Sequence, residues 1–102
     1  MAYRVRLDPA AEADLQRIYS WIGERASPAI ARGYVSRILD YLAGFDLFPE
    51  RGRLLDDIRP GLRIIGFERR VSIAFVVEAE DVTVLRILYA GQQFERGGQG
   101  GE

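Results

Sequence analysis

The first half of the chain changes from the periodicity of a strand to that of a helix. Residues 3–7 alternate apolar and charged side chains, as a half-buried strand does. Asp8 and Pro9 follow, and this pair combines a residue type that caps helix N-termini with a proline suited to the first helical position. The pattern predicts a strand and then a helix, whose apolar stripe consists of Ala11, Leu15, Ile18 and Ile22.

A second helix follows closely. Ser27 and Pro28 repeat the cap-and-proline signal, and Pro49 ends the helix because proline disfavours helical backbone in the residue before it. Since only a short link joins the two helices, we expect an antiparallel hairpin. The apolar stripe of the second helix consists of Ala31, Tyr34, Ile38, Tyr41, Leu42 and Phe45.

The second half of the chain has the period of strands. Residues 49–60 contain two prolines and several charged residues, and predict a loop. Residues 62–67 and 71–78 then read as strands, and residues 82–89 carry apolar side chains on both faces, which is typical of an interior strand. The order β-α-α-β-β-β predicts an α+β fold, an antiparallel-rich sheet with the helix hairpin packed on one face. In residues 71–78 we expect one face to consist of Val71, Ile73, Phe75 and Val77, and the other of Ser72, Ala74, Val76 and Glu78.

The composition of the 102 residues limits both organisation and chemistry. We expect one domain over residues 1–95, followed by a flexible glycine-rich tail over residues 96–102. The absence of cysteine and of a long apolar run is typical of a cytoplasmic protein with no membrane span. The net charge of −1 gives little long-range attraction to phosphate, so we expect no direct binding of nucleic acid.

No cofactor or metal site is expected. The chain contains no histidine and no cysteine, and its adjacent carboxylates Asp56 and Asp57 lie in the predicted loop. Adjacent residues on a loop rarely converge on one ion, so a solvated turn is the preferred interpretation.

The fourteen basic residues are all arginine, and they are distributed unevenly. Residues 51–70 contain six arginines and three acids, a net charge of +3, whereas residues 1–50 carry −1 and residues 71–102 carry −3. Arginine binds carboxylates and phosphates through two parallel hydrogen bonds and does not lose its charge. The segment is therefore a candidate binding surface, the alternative being a solvated charged loop. Its arginines are Arg51, Arg53, Arg59, Arg63, Arg69 and Arg70.

An ordered set of short motifs resembles the ParE/RelE superfamily of type II toxin–antitoxin toxins, and more closely its ParE-like (plasmid stabilisation) branch. The motifs cover about 95 residues in the family's order and are the following: Tyr3-Arg-Val-Arg-Leu-Asp-Pro-Ala-Ala, Ala13-Asp14-Leu15 with Ile18-Tyr19 and Ile22, Ser27-Pro28 with Ala31 and Tyr34, Phe48-Pro49 with Arg51-Gly52, Gly61-Leu62-Arg63, and Val84-Leu85-Arg86-Ile87-Leu88-Tyr89-Ala90-Gly91-Gln92.

The resemblance implies a small bacterial toxin that a partner antitoxin neutralises. ParE-type members inhibit DNA gyrase, and RelE-type members cut mRNA in the ribosomal A site. If the chain is of the ParE type, the six arginines of residues 51–70 are candidates for contacting the target. The antitoxin of this family wraps its toxin with a helix and an extended stretch in hydrophobic grooves. Candidates for that contact are Tyr19, Trp21, Tyr34 and Tyr41, with packing in or at the rim of the core as the alternative for Trp21, Tyr34 and Tyr41.

The RelE-type alternative requires acid–base groups. Cleavage of RNA through the 2′-hydroxyl needs a base, an acid and cations for the developing charge. Without histidine or lysine, the base or acid would have to be Tyr89 or a carboxylate, and Arg63, Arg70 and Arg86 could supply the cations. The candidates for this alternative are Arg63, Arg86 and Tyr89. Gln92 and Gln93 stand where such nucleases tend to have basic residues, which favours a toxin that acts by binding. Arg86 interrupts an apolar strand, so we expect it to pair with a carboxylate in preference to reaching a functional edge.

Overall fold

The computed structural model describes residues 2–90, which form two helices and a five-stranded sheet. The sheet order is β1-β5-β4-β3-β2, with β1 parallel to β5 and every other pair antiparallel. The α+β prediction with an antiparallel-rich sheet is therefore confirmed. The elements are β1 (Arg4–Leu7), α1 (Pro9–Arg25), α2 (Pro28–Ala43), a 3₁₀ turn (Gly44–Asp46), β2 (Arg53–Leu54), β3 (Leu62–Phe67), β4 (Val71–Glu78) and β5 (Asp81–Tyr89).

Both predicted helix starts are confirmed by their caps. The Asp8 carboxylate accepts a hydrogen bond from the Ala10 N–H at 3.0 Å, and the Ser27 hydroxyl accepts one from the Ile30 N–H at 3.1 Å. These bonds satisfy backbone donors that a helix start leaves without an internal partner. The second helix ends earlier than predicted, at Ala43, because the chain tightens into the 3₁₀ turn well before Pro49.

The core lies between the helix hairpin and one face of the sheet. Its fully buried side chains come from the predicted helical stripes and from β4 and β5. On β4 the prediction for Val71, Ile73 and Phe75 is confirmed. Val76, predicted on the opposite face, is also buried but does not belong to this core cluster. Gly61 lies against it, since a Cβ on that glycine would be 3.5 Å from Val76 Cγ1.

A bulge in β5 explains why this strand looks apolar on both faces. Val84 lies opposite Phe75 and Arg86 lies opposite Ala74, so Leu85 is an extra residue between two consecutive positions of β4. An extra residue reverses the alternation beyond it. Val82 and Val84 before the bulge, and Ile87 after it, therefore all reach the same core.

Two further predictions concern the rest of the chain. The loop predicted over residues 49–60 contains the two-residue strand β2, which was not predicted. The tail predicted over residues 96–102 lies outside the described residues. Within residues 2–90, neither helix is long and apolar enough to cross a membrane.

Candidate binding surfaces

A groove of about 740 Å³ runs along the outer side of the helix hairpin. Tyr19 is 36% exposed at its edge, and Leu39 of α2 is also exposed there. Of the four aromatic residues predicted to contact a partner, only Tyr19 lines this groove. Its lining consists of Leu7, Pro9, Glu12, Ala13, Leu15, Gln16, Tyr19, Val35 and Leu39.

Trp21 lies in a different depression of about 300 Å³, which also includes Gln16 and Glu24. It is half-buried and packs against the core, as the rim-of-the-core alternative predicted. The Arg25 guanidinium stacks on the indole, with Cζ 3.3 Å from the ring centroid. Tyr19 and Trp21 therefore line different depressions, although Gln16 borders both.

Tyr34 and Tyr41 face the sheet. Tyr34 forms an edge-to-face pair with Tyr89, with ring centroids 5.8 Å apart, and Tyr41 packs on Phe45 and Phe67. The Tyr34 hydroxyl is buried without a hydrogen-bond partner in the part of the chain that the structure describes. Burial, with Tyr89 and Glu68 nearby, raises the pKa of this hydroxyl and keeps it neutral.

Asp14 of α1 is fully buried and binds the end of β5 that extends beyond its pairing with β1. Its carboxylate accepts two hydrogen bonds from Arg86, at 2.8 and 2.9 Å, and one from the Ile87 N–H at 2.8 Å. Arg17 donates a further bond. Burial alone would raise the pKa of this carboxyl, but the bonds from Arg86, Ile87 and Arg17 outweigh it and hold the pKa below its usual value. The prediction that Arg86 pairs with a carboxylate is confirmed.

The three candidate nuclease residues do not converge. Arg63 lies on β3 and Arg86 on β5, and β4 separates the two strands. Arg86 is bound to Asp14, and Arg63 donates to the Arg51 carbonyl oxygen at 3.4 Å. Tyr89, the proposed acid or base, packs against Tyr34.

Two of the six arginines of residues 51–70 hold the backbone of the loop that follows α2. Arg51 Nε donates to the Phe48 carbonyl oxygen at 2.6 Å, and its guanidinium lies 4.7 Å from the Phe45 ring centroid. Arg63 binds the Arg51 carbonyl oxygen. Both side chains are half-buried.

The other four arginines are exposed but do not form one surface. Arg53 and Arg59 lie before β3, and Arg69 and Arg70 lie after it. A six-residue strand spans about 20 Å, which separates the two pairs. None of the six arginines of residues 51–70 forms a salt bridge with a described carboxylate, whereas Arg4, Arg6, Arg17, Arg25, Arg37 and Arg86 all do.

Sequence reasoning missed the exposure of the residues just after the 3₁₀ turn. Leu47 is 61% exposed and Phe48 is 70% exposed. They line a depression of about 390 Å³ together with Tyr3, Pro49, Glu50 and Arg51. An apolar residue in a sequence carries no local signal for exposure, because hydrophobicity alone predicts burial.

Other sites are not supported by the described residues. No group of three His, Cys, Asp or Glu side chains within residues 2–90 could hold a metal ion. The Asp56 carboxylate accepts a hydrogen bond from the Gly61 N–H at 2.7 Å and so closes the loop before β3. Gln92 and Gln93 lie outside the described residues.

Comparisons with known proteins agree with one another. Residues 5–94 match the protein-family model described as ParE toxin of type II toxin-antitoxin system, parDE. Toxin ParE3 of Caulobacter vibrioides is 32% identical over 75 residues, which are 74% of this chain and 74% of that protein. A solved structure described as the chromosomal ParDE TA system from P. aeruginosa matches with a TM-score of 0.75 and 25% identity, covering 86% of this chain and 96% of that one.

Proposed function

Since the chain belongs to the ParE toxin family of type II toxin–antitoxin systems, we propose that it inhibits DNA gyrase by binding and that a cognate antitoxin neutralises it. The gyrase assignment rests on the ParE resemblance. The antitoxin assignment rests on the family and on the groove of the helix hairpin. Both activities need a shaped surface, and neither needs a proton relay.

The dispersal of the three candidate nuclease residues supports binding over RNA cleavage. General acid–base catalysis requires groups within hydrogen-bond reach of one reacting centre. Arg86 is bound to a buried carboxylate, and Arg63, on a strand that β4 separates from β5, donates to the Arg51 carbonyl oxygen. Freeing Arg86 for RNA would deprive the fully buried Asp14 carboxylate of the two hydrogen bonds that Arg86 donates.

The groove of the helix hairpin is the proposed antitoxin site. Its lining is mainly apolar, and Tyr19 and Leu39 are exposed at its edge. An amphipathic helix places apolar side chains on one face at a spacing of three and four residues, and a groove between two helices receives such a face. Trp21 contributes only if the antitoxin also reaches the second depression on α1.

Inducible expression in bacteria tests the gyrase proposal. Poisoning of gyrase predicts filamentation, induction of the DNA-damage response and cleaved DNA bound to gyrase. The RelE-type alternative predicts rapid loss of protein synthesis with mRNA cuts in the ribosomal A site. Tyr89→Phe adds a control, because it keeps the ring that packs against Tyr34 and removes the hydroxyl that the RelE-type alternative would use as acid or base. Any variant compared here must first retain the folded circular dichroism spectrum of the wild type.

A further inference from the structure

The groove of the helix hairpin has one polar side and one apolar side. Three lining residues of α1 carry polar groups and are exposed, and they are Glu12, Gln16 and Tyr19. The lining residues of α2, Val35 and Leu39, carry none. Because the three α1 residues are spaced four and then three positions apart, they form one ridge along that helix. A ligand in the groove therefore meets polar groups on one flank only.

Glu12 brings a negative charge to this lining that the described part of the chain does not neutralise. Arg17, further along α1, binds the buried Asp14. Arg6 of β1 lies 3.7 Å from Asp81. Among the described residues, no arginine forms a salt bridge with Glu12. The carboxylate of this exposed residue is therefore stabilised by water as long as the groove is open.

Covering this carboxylate has an energetic consequence. An α-helix with its side chains is about 10–12 Å across, which is wide enough to exclude water from Glu12 when the helix lies along the ridge. A carboxylate that loses water is strongly destabilised unless a cation pairs with it. Arginine does so through two parallel hydrogen bonds, and lysine as a point charge. The occupant of the groove must therefore supply the positive charge.

The same ridge determines where that cation lies in the occupant. Glu12 and Tyr19 are seven residues apart, a rise of about 10.5 Å along α1. A helix that lies along the groove presents side chains two turns apart at the same spacing. Its cation and the side chain that packs on the Tyr19 ring are thus about seven residues apart. Its apolar side chains face Val35 and Leu39.

We infer that the antitoxin occupies this groove with an amphipathic helix that carries an arginine or lysine on one flank of its apolar face, and that this cation pairs with Glu12. The inference rests on the proposed function and deepens its antitoxin part. The pairing fixes the rotation of the helix, with its polar flank on α1 and its apolar face on α2. It also disfavours an antitoxin with an acidic residue at that position, since two like charges would meet at Glu12.

The first test compares Glu12→Gln with Glu78→Gln, the same change at an exposed residue of β4 that does not line the groove. Both variants are expected to fold, since neither side chain belongs to the core. In calorimetric titration with the purified cognate antitoxin, Glu12→Gln is expected to bind about three- to tenfold more weakly and with less salt dependence, because one close charge pair is lost. Glu78→Gln is expected to match the wild type. Unchanged affinity in Glu12→Gln, or an equal loss in both variants, would overturn the inference.

A charge reversal identifies the cation of the antitoxin. Glu12→Arg is expected to weaken binding by about tenfold or more, because like charges then meet across the interface. Each arginine and lysine of the antitoxin is next changed to glutamate, one at a time. One of these antitoxin variants is expected to bind Glu12→Arg more tightly than it binds the wild-type toxin. If none of them does, the inference is overturned.

Failure of this inference is distinguishable from failure of the proposed function. Leu39→Asp changes the apolar side of the groove. If Leu39→Asp weakens antitoxin binding and Glu12→Gln does not, the groove is the antitoxin site and the inference about the cation is wrong. If both variants retain full affinity, the groove is not the antitoxin site and the inference fails with it. A wild-type toxin that binds no antitoxin would contradict the proposed function itself.

Discussion

The Asp14 carboxylate and the Arg86 guanidinium, 72 residues apart in sequence, form a two-point ion pair with distances of 2.8 and 2.9 Å at the edge of the sheet. β1 pairs with β5 only as far as Val84, and beyond it the Asp14 carboxylate accepts the bond that the Ile87 N–H would otherwise make to a neighbouring strand. The ion pair links α1 to β5. It also engages the Arg86 guanidinium, which the RelE-type alternative would need for RNA cleavage.

Asp14→Asn is expected to lower the free energy of unfolding by about 3 kcal/mol. The change removes the negative charge that three donors share in a fully buried position. It also weakens the hydrogen bonds that Arg86 and the Ile87 N–H donate to this side chain. Chemical denaturation of both proteins at neutral pH measures the difference. Asp57→Asn, on the exposed loop, is the matched control and should unfold like the wild type. A loss of stability no larger than that control's would contradict the role given to Asp14.

The same carboxylate predicts the acid dependence of stability. The folded pKa of Asp14 lies below its unfolded value of about 3.9, so its contribution is complete above that pH and disappears as the pH falls through the folded pKa. The stability difference between wild type and Asp14→Asn should therefore be constant near neutrality and shrink below about pH 4. Other acids with lowered pKa values, Glu68 and Asp81, are present in both proteins and cancel. A stability difference between the two proteins that grows on acidification would show that the pKa of Asp14 is not lowered in the folded state.

Replacement by alanine should change the free energy of unfolding differently at Gly33, Gly52 and Gly61. Gly61→Ala is expected to cost about 1–2 kcal/mol, because its φ is +80° but a Cβ would meet nothing closer than 3.5 Å. Gly52→Ala should cost more, since a Cβ would also lie 2.4 Å from the Ile64 carbonyl oxygen. Gly33→Ala, within α2 with 3.9 Å of space, should stabilise by about 0.5–1 kcal/mol. Thermal unfolding of the three variants gives the order, and equal effects at Gly52 and Gly61 would contradict the close approach to β3.

Leu39→Asp is expected to weaken antitoxin binding by about tenfold or more, because it places a charge in the apolar groove. Inhibition of gyrase should be unchanged. Trp21→Ala is the comparison, since Trp21 lines the second depression on α1. It weakens antitoxin binding only if the antitoxin also reaches that depression. Calorimetric titration of each variant with antitoxin separates the two surfaces. Full affinity in Leu39→Asp would exclude the groove as the antitoxin site.

The helices and most strands could be predicted because their signals are local. Asp8 and Ser27 cap the helices within three residues of the groups they bind, and the apolar periods of the helices fix their buried faces. The resemblance to the ParE branch is confirmed by the family match over residues 5–94. β2 was missed because two residues carry no period.

The binding surfaces were harder to predict because they depend on distant contacts. The six arginines of residues 51–70 are close in sequence but not in the fold. Arg51 and Arg63 bind backbone carbonyl oxygens, and β3 separates Arg53 and Arg59 from Arg69 and Arg70. The apolar strand around Arg86 predicted that this arginine would pair with a carboxylate. The partner could not be named from the sequence, because Asp14 contacts Arg86 only when α1 packs along β5. The exposure of Phe48 likewise follows from the turn at Gly44–Asp46 and the Arg51 contacts.

The most direct test of the central claim is supercoiling of relaxed plasmid by purified gyrase, with increasing toxin and then with equimolar antitoxin. A toxin that acts on gyrase by binding predicts that supercoiling falls as toxin is added, that it recovers when antitoxin is present, and that ribosome-bound mRNA remains intact in a parallel reaction. Unchanged supercoiling at toxin concentrations that arrest growth, together with cleavage of the mRNA, would contradict it.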